Sequence, residues 1–271
     1  MNTEAVRPRE YPLHPALTPF VKCMWSLESD GPITGAGRER ILPDNSCVEL
    51  VFHFHDPYRS HFPDGETALQ PRSFVVGQMK RFLEIEPAGR AGFVAVRFLA
   101  RGAYLFFDRP LSEVAAGVVD LEDLWRGRAR EWTERVALAP TMAARLHLIE
   151  GLLLGLLREN GRTDPAVDRS LEVIEASGGQ IRVARMAAEL GVSCRHLTRQ
   201  FQRAVGLSLK EFMRVSRFLR ALKLLEEDSH RSLMDVALTC GFFDQAHFNH
   251  EFREFAGMSP GELLTFPNVS F

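Results

Sequence analysis

The chain has 271 residues, 45% hydrophobic and 25% charged, with a formal net charge of −2, enough for one or two well-filled domains and unlike a disordered or wholly basic protein. No apolar run is long enough to span a bilayer, and MNTEAVRPREYPLHP at the start lacks a signal peptide's apolar core, so a cytosolic protein with no membrane partner is expected. Four scattered cysteines, Cys23, Cys47, Cys194 and Cys240, include no CxxC pair, which argues against a structural zinc and a disulfide framework.

Residues 1 to 20 carry Pro8, Pro12, Pro15 and Pro19 and read as an extended arm. Strand-like runs come next at 21–29, 47–55, 73–78, 82–87 and 92–99, punctuated by FPDGE and PAGRAG. In 47–55, Val48, Leu50, Phe52 and Phe54 alternate onto one face, and Glu49, Val51, His53 and His55 onto the other. Such spacing predicts a barrel or sandwich closed around an apolar interior. Helical periodicity begins near Gly102, with helices expected at 111–125, 130–137 and 141–160. In the last, Met142, Leu146, Ile149, Leu153, Leu156 and Leu157 form a stripe that Leu148, Leu152 and Leu154 widen. Two readings stand for the excess: a second contact such as a dimer partner, or burial between two domains. This helix is the expected route by which the N-terminal half controls the C-terminal half. Asn160-Gly161 should end it, and Thr163 or Asp164 with Pro165 should open the next helix. The boundary is therefore placed near 161–166, giving domains 1–162 and 163–271.

Between Met186 and Ser259 one pattern occurs twice. MAAELGVSCRHLTRQFQRAVGLS aligns with VALTCGFFDQAHFNHEFREFAGMS, pairing Gly191 with Gly241, Leu197 with Phe248, Phe201 with Phe252 and Gly206 with Gly257. In the first copy Ser193 is placed to cap a helix that buries Leu197, Phe201 and Val205. Its outer face then carries Arg195, Thr198, Arg199, Gln202 and Arg203. Short helix, glycine turn and arginine-rich second helix match a helix-turn-helix, in which arginine reads guanine or holds phosphate. A solvated basic face is the bland alternative, and the duplication counts against it. In the second copy Asp244 is the cap and Phe248, Phe252 and Phe255 the core. Ala246, Asn249, His250 and Arg253 face outward, flanked by Gln245 and His247, and Pro260 is expected to terminate the element. On the long helix between the copies, Arg214, Arg217, Arg220 and Lys223 read as mostly free for phosphate or salt bridges.

Charge is uneven across the module. From Arg182 to Lys223, eight arginines and two lysines face two glutamates, a net of +8. From Leu224 to Glu262, two arginines face eight acidic residues, a net of −6. A local basic block supplies an electrostatic footprint even when the sum is near zero. The first copy should dominate affinity, and Glu251 and Glu254 should make the second copy's outer face acidic.

Other chemistry is thinner. His53 and His55 sit at strand spacing, with His61, Cys47 and Glu49 near in sequence. A metal-dependent cupin enzyme fused to a DNA-binding tail rests on that pair alone, and histidines on a half-exposed strand are the default. Cys194 opens a helix beside Arg195 and His196, which could lower a thiol pKa, but no resolving cysteine is close. No GxSxG, HExxH, P-loop or GxGxxG pattern is present, so no catalytic residue, cofactor or metal ligand is assigned.

Residues 180 to 265 resemble the DNA-binding domain of the AraC/XylS family of bacterial transcription regulators. The likeness rests on Gly241, Phe242, Asp244, Gln245, His247, Phe248, Phe252, Gly257, Ser259 and Pro260 in the second copy, and on Arg217, Arg220, Ala221, Leu224 and Leu225 in the linker. It implies one chain placing two recognition helices in successive major-groove segments of a double-stranded operator, about 10 base pairs apart. The candidate DNA contacts are Arg195, Thr198, Arg199, Gln202, Arg203, Gln245, Ala246, His247, Asn249 and His250. His250 departs from the Arg or Lys common in the family at that position. The runs ERILPDNSCVELVF, FVVGQMKRFLEIEPAGR and AVRFLARGAYLFF resemble the β-rich N-terminal domain of some AraC-type regulators. The resemblance implies an α+β multidomain chain: an N-terminal β-barrel or cupin-like domain with helices, and an all-α double helix-turn-helix. It further implies a small-molecule effector, a homodimer, and RNA polymerase as a partner left open.

Overall fold

The computed structural model describes residues 7–270 apart from 34, 36, 45–47, 115, 116, 126, 161, 162, 229, 230, 267 and 268. Cys47, Gly161 and the first six residues of the expected arm lie outside the described residues. The fold is α+β, sheet-rich in its N-terminal half and helical in its C-terminal half apart from a short final strand.

The N-terminal strands are β1 (Arg9–Tyr11), β2 (Val21–Pro32), β3 (Glu39–Ile41), β4 (Val48–His53), β5 (Tyr58–His61), β6 (Thr67–Leu69), β7 (Ser73–Val76), β8 (Leu83–Pro87), β9 (Arg90–Phe98) and β10 (Val118–Asp120). The chain's last strand, β11 (Val269–Ser270), returns to them. One sheet runs β1-β2-β9-β4-β7-β10 and the other β11-β3-β8-β5-β6. The sheets face each other through Val51, Tyr58, Phe74, Phe93 and Ala95, with Ile85 beside them. The other face of the first sheet buries Val48, Leu50, Phe52, Val94, Val96 and Phe98. Strand β4 is therefore covered on both faces. His53, expected half-exposed, is 1% exposed because the second sheet closes over it.

Against the first sheet lie two 3-10 turns (Ala103–Leu105 and Leu111–Glu113), α1 (Leu121–Leu124), α2 (Arg128–Leu138) and α3 (Met142–Asn160). The helix expected over 111–125 does not form. Val118 and Val119 instead pair antiparallel with Val76 and Val75 at the edge of β7. β-branched residues beside an open strand edge override a local helical pattern. Asp120 then caps the single turn of α1, accepting from the Glu122 amide. In α3, Ile149, Leu152, Leu153 and Leu156 are buried in the N-terminal core, and Met142, Leu146, Leu148, Leu154 and Leu157 pack on it half-buried. None of these residues belongs to the C-terminal core, so the halves meet elsewhere. Among the described residues no helix is long and apolar enough to cross a membrane.

The C-terminal helices are α4 (Pro165–Ser177), α5 (Val183–Glu189), α6 (Cys194–Val205), α7 (Leu209–Glu227), α8 (Leu233–Thr239), α9 (Gln245–Ala256) and α10 (Pro260–Thr265). Asp164 caps α4, with Pro165 in its first turn. Pro260 does not terminate α9: it opens α10 behind the Ser259–Glu262 capping box. The stop is Gly257, at φ +73°. Phe218 of α7 meets Phe252 of α9 at 4.8 Å between ring centres, and Phe252 meets Phe248 at 4.6 Å.

The two halves share contacts. Leu42, after β3, is fully buried in the C-terminal core, with Phe82, Ala100 and Tyr104 packed beside it. A Cβ on Gly206 would come within 3.1 Å of the Leu111 carbonyl oxygen. Arg40 donates to the Ala256 carbonyl at 2.9 Å. Its guanidinium lies 4.3 Å from the centre of the Phe82 ring and 5.0 Å from that of Phe266. Strand β11 pairs in parallel with β3. Arg40→Ala removes the hydrogen bond and leaves Glu84, which Arg40 also pairs, under-compensated. A loss of about 1–3 kcal/mol is expected, read by thermal unfolding and by faster amide exchange at Gly257 and Met258.

Candidate nucleic-acid interface

Gly191, at φ +66°, makes the turn between α5 and α6, a conformation that an L side chain resists. The Ser193 hydroxyl accepts from the His196 amide at 3.2 Å and starts α6. Leu197, Phe201, Ala204 and Val205 then face the core. Arg195, Arg199 and Gln202 are exposed along one flank, with Thr198 half-buried beside them.

Arg203 is exposed as well, one turn on from Arg199, but at the edge of that flank. With Gln200 and Ala204 it lines a cleft of about 240 Å³ against Tyr104, Phe107, Arg109 and Asp164. Each helical residue turns about 100° from the last, so Arg203 lies round from Arg199 toward Gln200, where the N-terminal half packs. Gln200 itself donates to Asp164 at 3.4 Å. Arg203→Ala should therefore weaken DNA binding about tenfold less than Arg199→Ala in a gel shift.

The second unit repeats the plan. Asp244 accepts from the His247 amide at 2.7 Å and starts α9. Gln245, Ala246, His250 and Arg253 are exposed, and Asn249 and His247 are half-buried. His247 is partly committed. Its Nδ1 accepts from the Phe243 amide at 3.3 Å, and its ring stands edge-on to Phe242. Phe243 is 86% exposed at the mouth of α9, and nothing in the sequence spacing separates it from buried Phe242.

The expected acidic outer face is not there. Glu251 is buried and Arg214 of α7 grips it, with Nε 3.0 and 2.9 Å from its two oxygens and Nη2 at 2.7 Å. Arg214 also holds Glu254. The hydrogen bonds that Arg214 donates to both carboxylates push its pKa up, first of all those to Glu251. Arg217, likewise expected to be free, donates to the Gly179 carbonyl at 3.1 Å, and burial lowers its pKa. Arg220 is exposed; Lys223 lies 3.8 Å from Glu227 in an exposed pair. The long helix thus offers less free cationic surface than its sequence suggested.

The N-terminal histidines have partners of their own. His53 Nε2 bonds Gln70 Oε1 at 3.0 Å, and the Gln70 amide donates to Ser60 at 3.1 Å. With the amide nitrogen turned to Ser60, the Gln70 oxygen faces the ring, and as an amide oxygen only accepts, Nε2 carries the proton. Burial pushes the His53 pKa down to about 4, so the ring is neutral near pH 7. His55 lies 3.4 Å from Glu28, and His61 lies 2.9 Å from Glu86. Among the described residues no three His, Cys, Asp or Glu side chains gather as metal ligands would. Cys194 is exposed, while Cys23 and Cys240 are buried.

A sheet-rich N-terminal half joined to two capped helix-turn-helix units defines the architecture class: an α+β chain carrying a double helix-turn-helix. Comparison with known proteins narrows this. Residues 186–265 match a family described as "Helix-turn-helix domain", and residues 9–120 match a domain of unknown function. The Msm operon regulatory protein of Streptococcus mutans is 31% identical over 118 residues, 43% of this chain and 42% of that one. The transcriptional activator RhaR of Klebsiella pneumoniae is 33% identical over 124 residues, 42% of this chain and 44% of that one. The probable transcription factor PqrA of Proteus vulgaris is 35% identical over 83 residues, 31% of this chain and 67% of that one. The chain spans less than half the length of the first two. The chain belongs to the AraC/XylS family of transcription regulators, and its relatives are transcription regulators.

Proposed function

We propose that this protein is a sequence-specific, double-stranded-DNA-binding regulator of transcription. The observation that carries the proposal is the exposed flank of Arg195, Arg199 and Gln202, with Thr198 beside it, on a capped helix behind a glycine turn. Its counterpart on α9 presents Gln245, Ala246, Asn249 and His250. In this reading α6 and α9 enter successive major-groove segments of one operator. Arg195 and Arg199 contact bases or phosphate, Thr198 and Gln202 assist them, and His247 and Arg203 lie at the margins.

Residues 1–162 form the controlling domain and 163–271 the DNA-binding domain. A small-molecule effector, or homodimerisation through the first, acts by shifting the population in which both recognition helices are free to dock. The 3-10 turns against α6 and Arg40 against Ala256 support this route. The helix to which the sequence pointed, α3, adjoins the same route through its contact with the first 3-10 turn. The protein works in the cytosol, RNA polymerase is a partner within the same reading, and no catalysed reaction is assigned. The partners of His53 leave a metal-dependent enzyme without an observation in its favour.

The test is selection of bound duplexes from a random pool by the intact protein, followed by gel shifts. An enriched motif in two parts one helical turn apart is the expected result. Equal affinity for selected and unselected duplexes would end the proposal.

A further inference from the structure

Arg214 stands on α7, yet most of its hydrogen bonding is spent on α9. It holds both oxygens of Glu251 and one of Glu254, and its guanidinium carbon lies 5.2 Å from the centre of the Phe255 ring. Glu251, Glu254 and Phe255 lie three and four residues apart, so they share the side of α9 turned to α7. Glu251 is 5% exposed. Around its carboxylate stand His247, with Nε2 3.8 Å away, and the positive charge of Arg217. Glu254 is half-exposed and, on the helical wheel, lies between buried Glu251 and outward-facing His250.

Two carboxylates on a helix that must approach a polyanion are unfavourable unless they are neutralised and turned away. We propose that Arg214 is the positioning residue of the second recognition helix. By cancelling the charge of Glu251 and Glu254 it lets both stay against α7, so that α9 keeps the rotation in which Gln245, Ala246, Asn249 and His250 point outward. It thereby sets the base preference of the second unit without touching DNA. The inference rests on the DNA-binding reading above.

Duplexes selected by the intact wild-type protein serve as the probe. Arg214→Ala, Arg214→Lys, the Glu251→Gln/Glu254→Gln pair and the triple variant with Arg214→Ala are compared. Arg214→Ala should weaken binding about tenfold and flatten the base preference in the second half of the site only. The triple variant should recover wild-type affinity to within about threefold, because neutral amides no longer need the cation. Arg214→Lys should fall between. A loss spread over all sequences, with a salt dependence lower by about one ion and no recovery in the triple variant, would make Arg214 a phosphate contact and overturn the inference. Wild-type binding by Arg214→Ala would overturn it too. Should Arg214→Ala fail to fold, the triple variant decides: folded with the second-half preference intact, it supports the inference, and unfolded, it removes it. A wild-type protein that enriches no sequence ends the DNA-binding reading itself, and this inference with it.

Discussion

Phe252→Ala should destabilise the C-terminal domain by about 3–5 kcal/mol, the usual cost of emptying a buried phenylalanine site. Phe252 is fully buried. Its ring lies between Phe218 of α7 and Phe248 of α9, so its removal opens the seam that orients the second recognition helix. Little can collapse into the gap, because Phe218 also packs on Phe255 at 5.1 Å and cannot leave one ring for the other. Two-state domains commonly hold only about 5–15 kcal/mol in total. Chemical denaturation of the intact protein should show a large drop in the midpoint, and a change under about 1 kcal/mol would mean the seam is looser than its geometry.

Arg195→Ala and Arg199→Ala should each weaken binding to selected duplexes by about 1–3 kcal/mol, roughly 5- to 150-fold. Both side chains are exposed, so the folded state should lose little. If a guanidinium reads a base, its loss relaxes preference at one position; if it holds phosphate, affinity falls evenly and the salt dependence shrinks by about one ion. Asn249→Ala and His250→Ala should cost less. The reason has changed from the one the sequence offered. Glu251 and Glu254 do not repel the DNA, since Arg214 holds them; the second unit is weaker because α9 presents Ala246 and His250 where α6 presents Arg195 and Arg199. Gel-shift affinities in the reverse order would refute this ranking.

Much of the C-terminal half was legible because its determinants are local. Ser193 and Asp244 cap helices whose amides lie three residues on. Gly191 and Gly241 adopt the positive φ that their turns require. The stripes of Leu197, Phe201 and Val205, and of Phe248, Phe252 and Phe255, are buried as their spacing demanded. Pro260 misled because proline marks a helix start as well as a stop, and it is the Ser259–Glu262 box that decides between them. Valines 118 and 119 misled because β7, their partner strand, lies some 40 residues earlier in the chain.

By itself, then, the sequence determined where the recognition helices begin, which residues they bury and that they come in a pair. These depend on contacts within a few residues, or on hydrophobic periodicity. Only the tertiary structure decided which charges are spent. Arg214 meets Glu251 across 37 residues, Arg40 meets Ala256 across 216, and His53 meets Gln70 beneath a second sheet. A long cationic side chain reads the same in sequence whether it faces water, a phosphate or a buried carboxylate, because its reach exceeds the spacing of any local pattern.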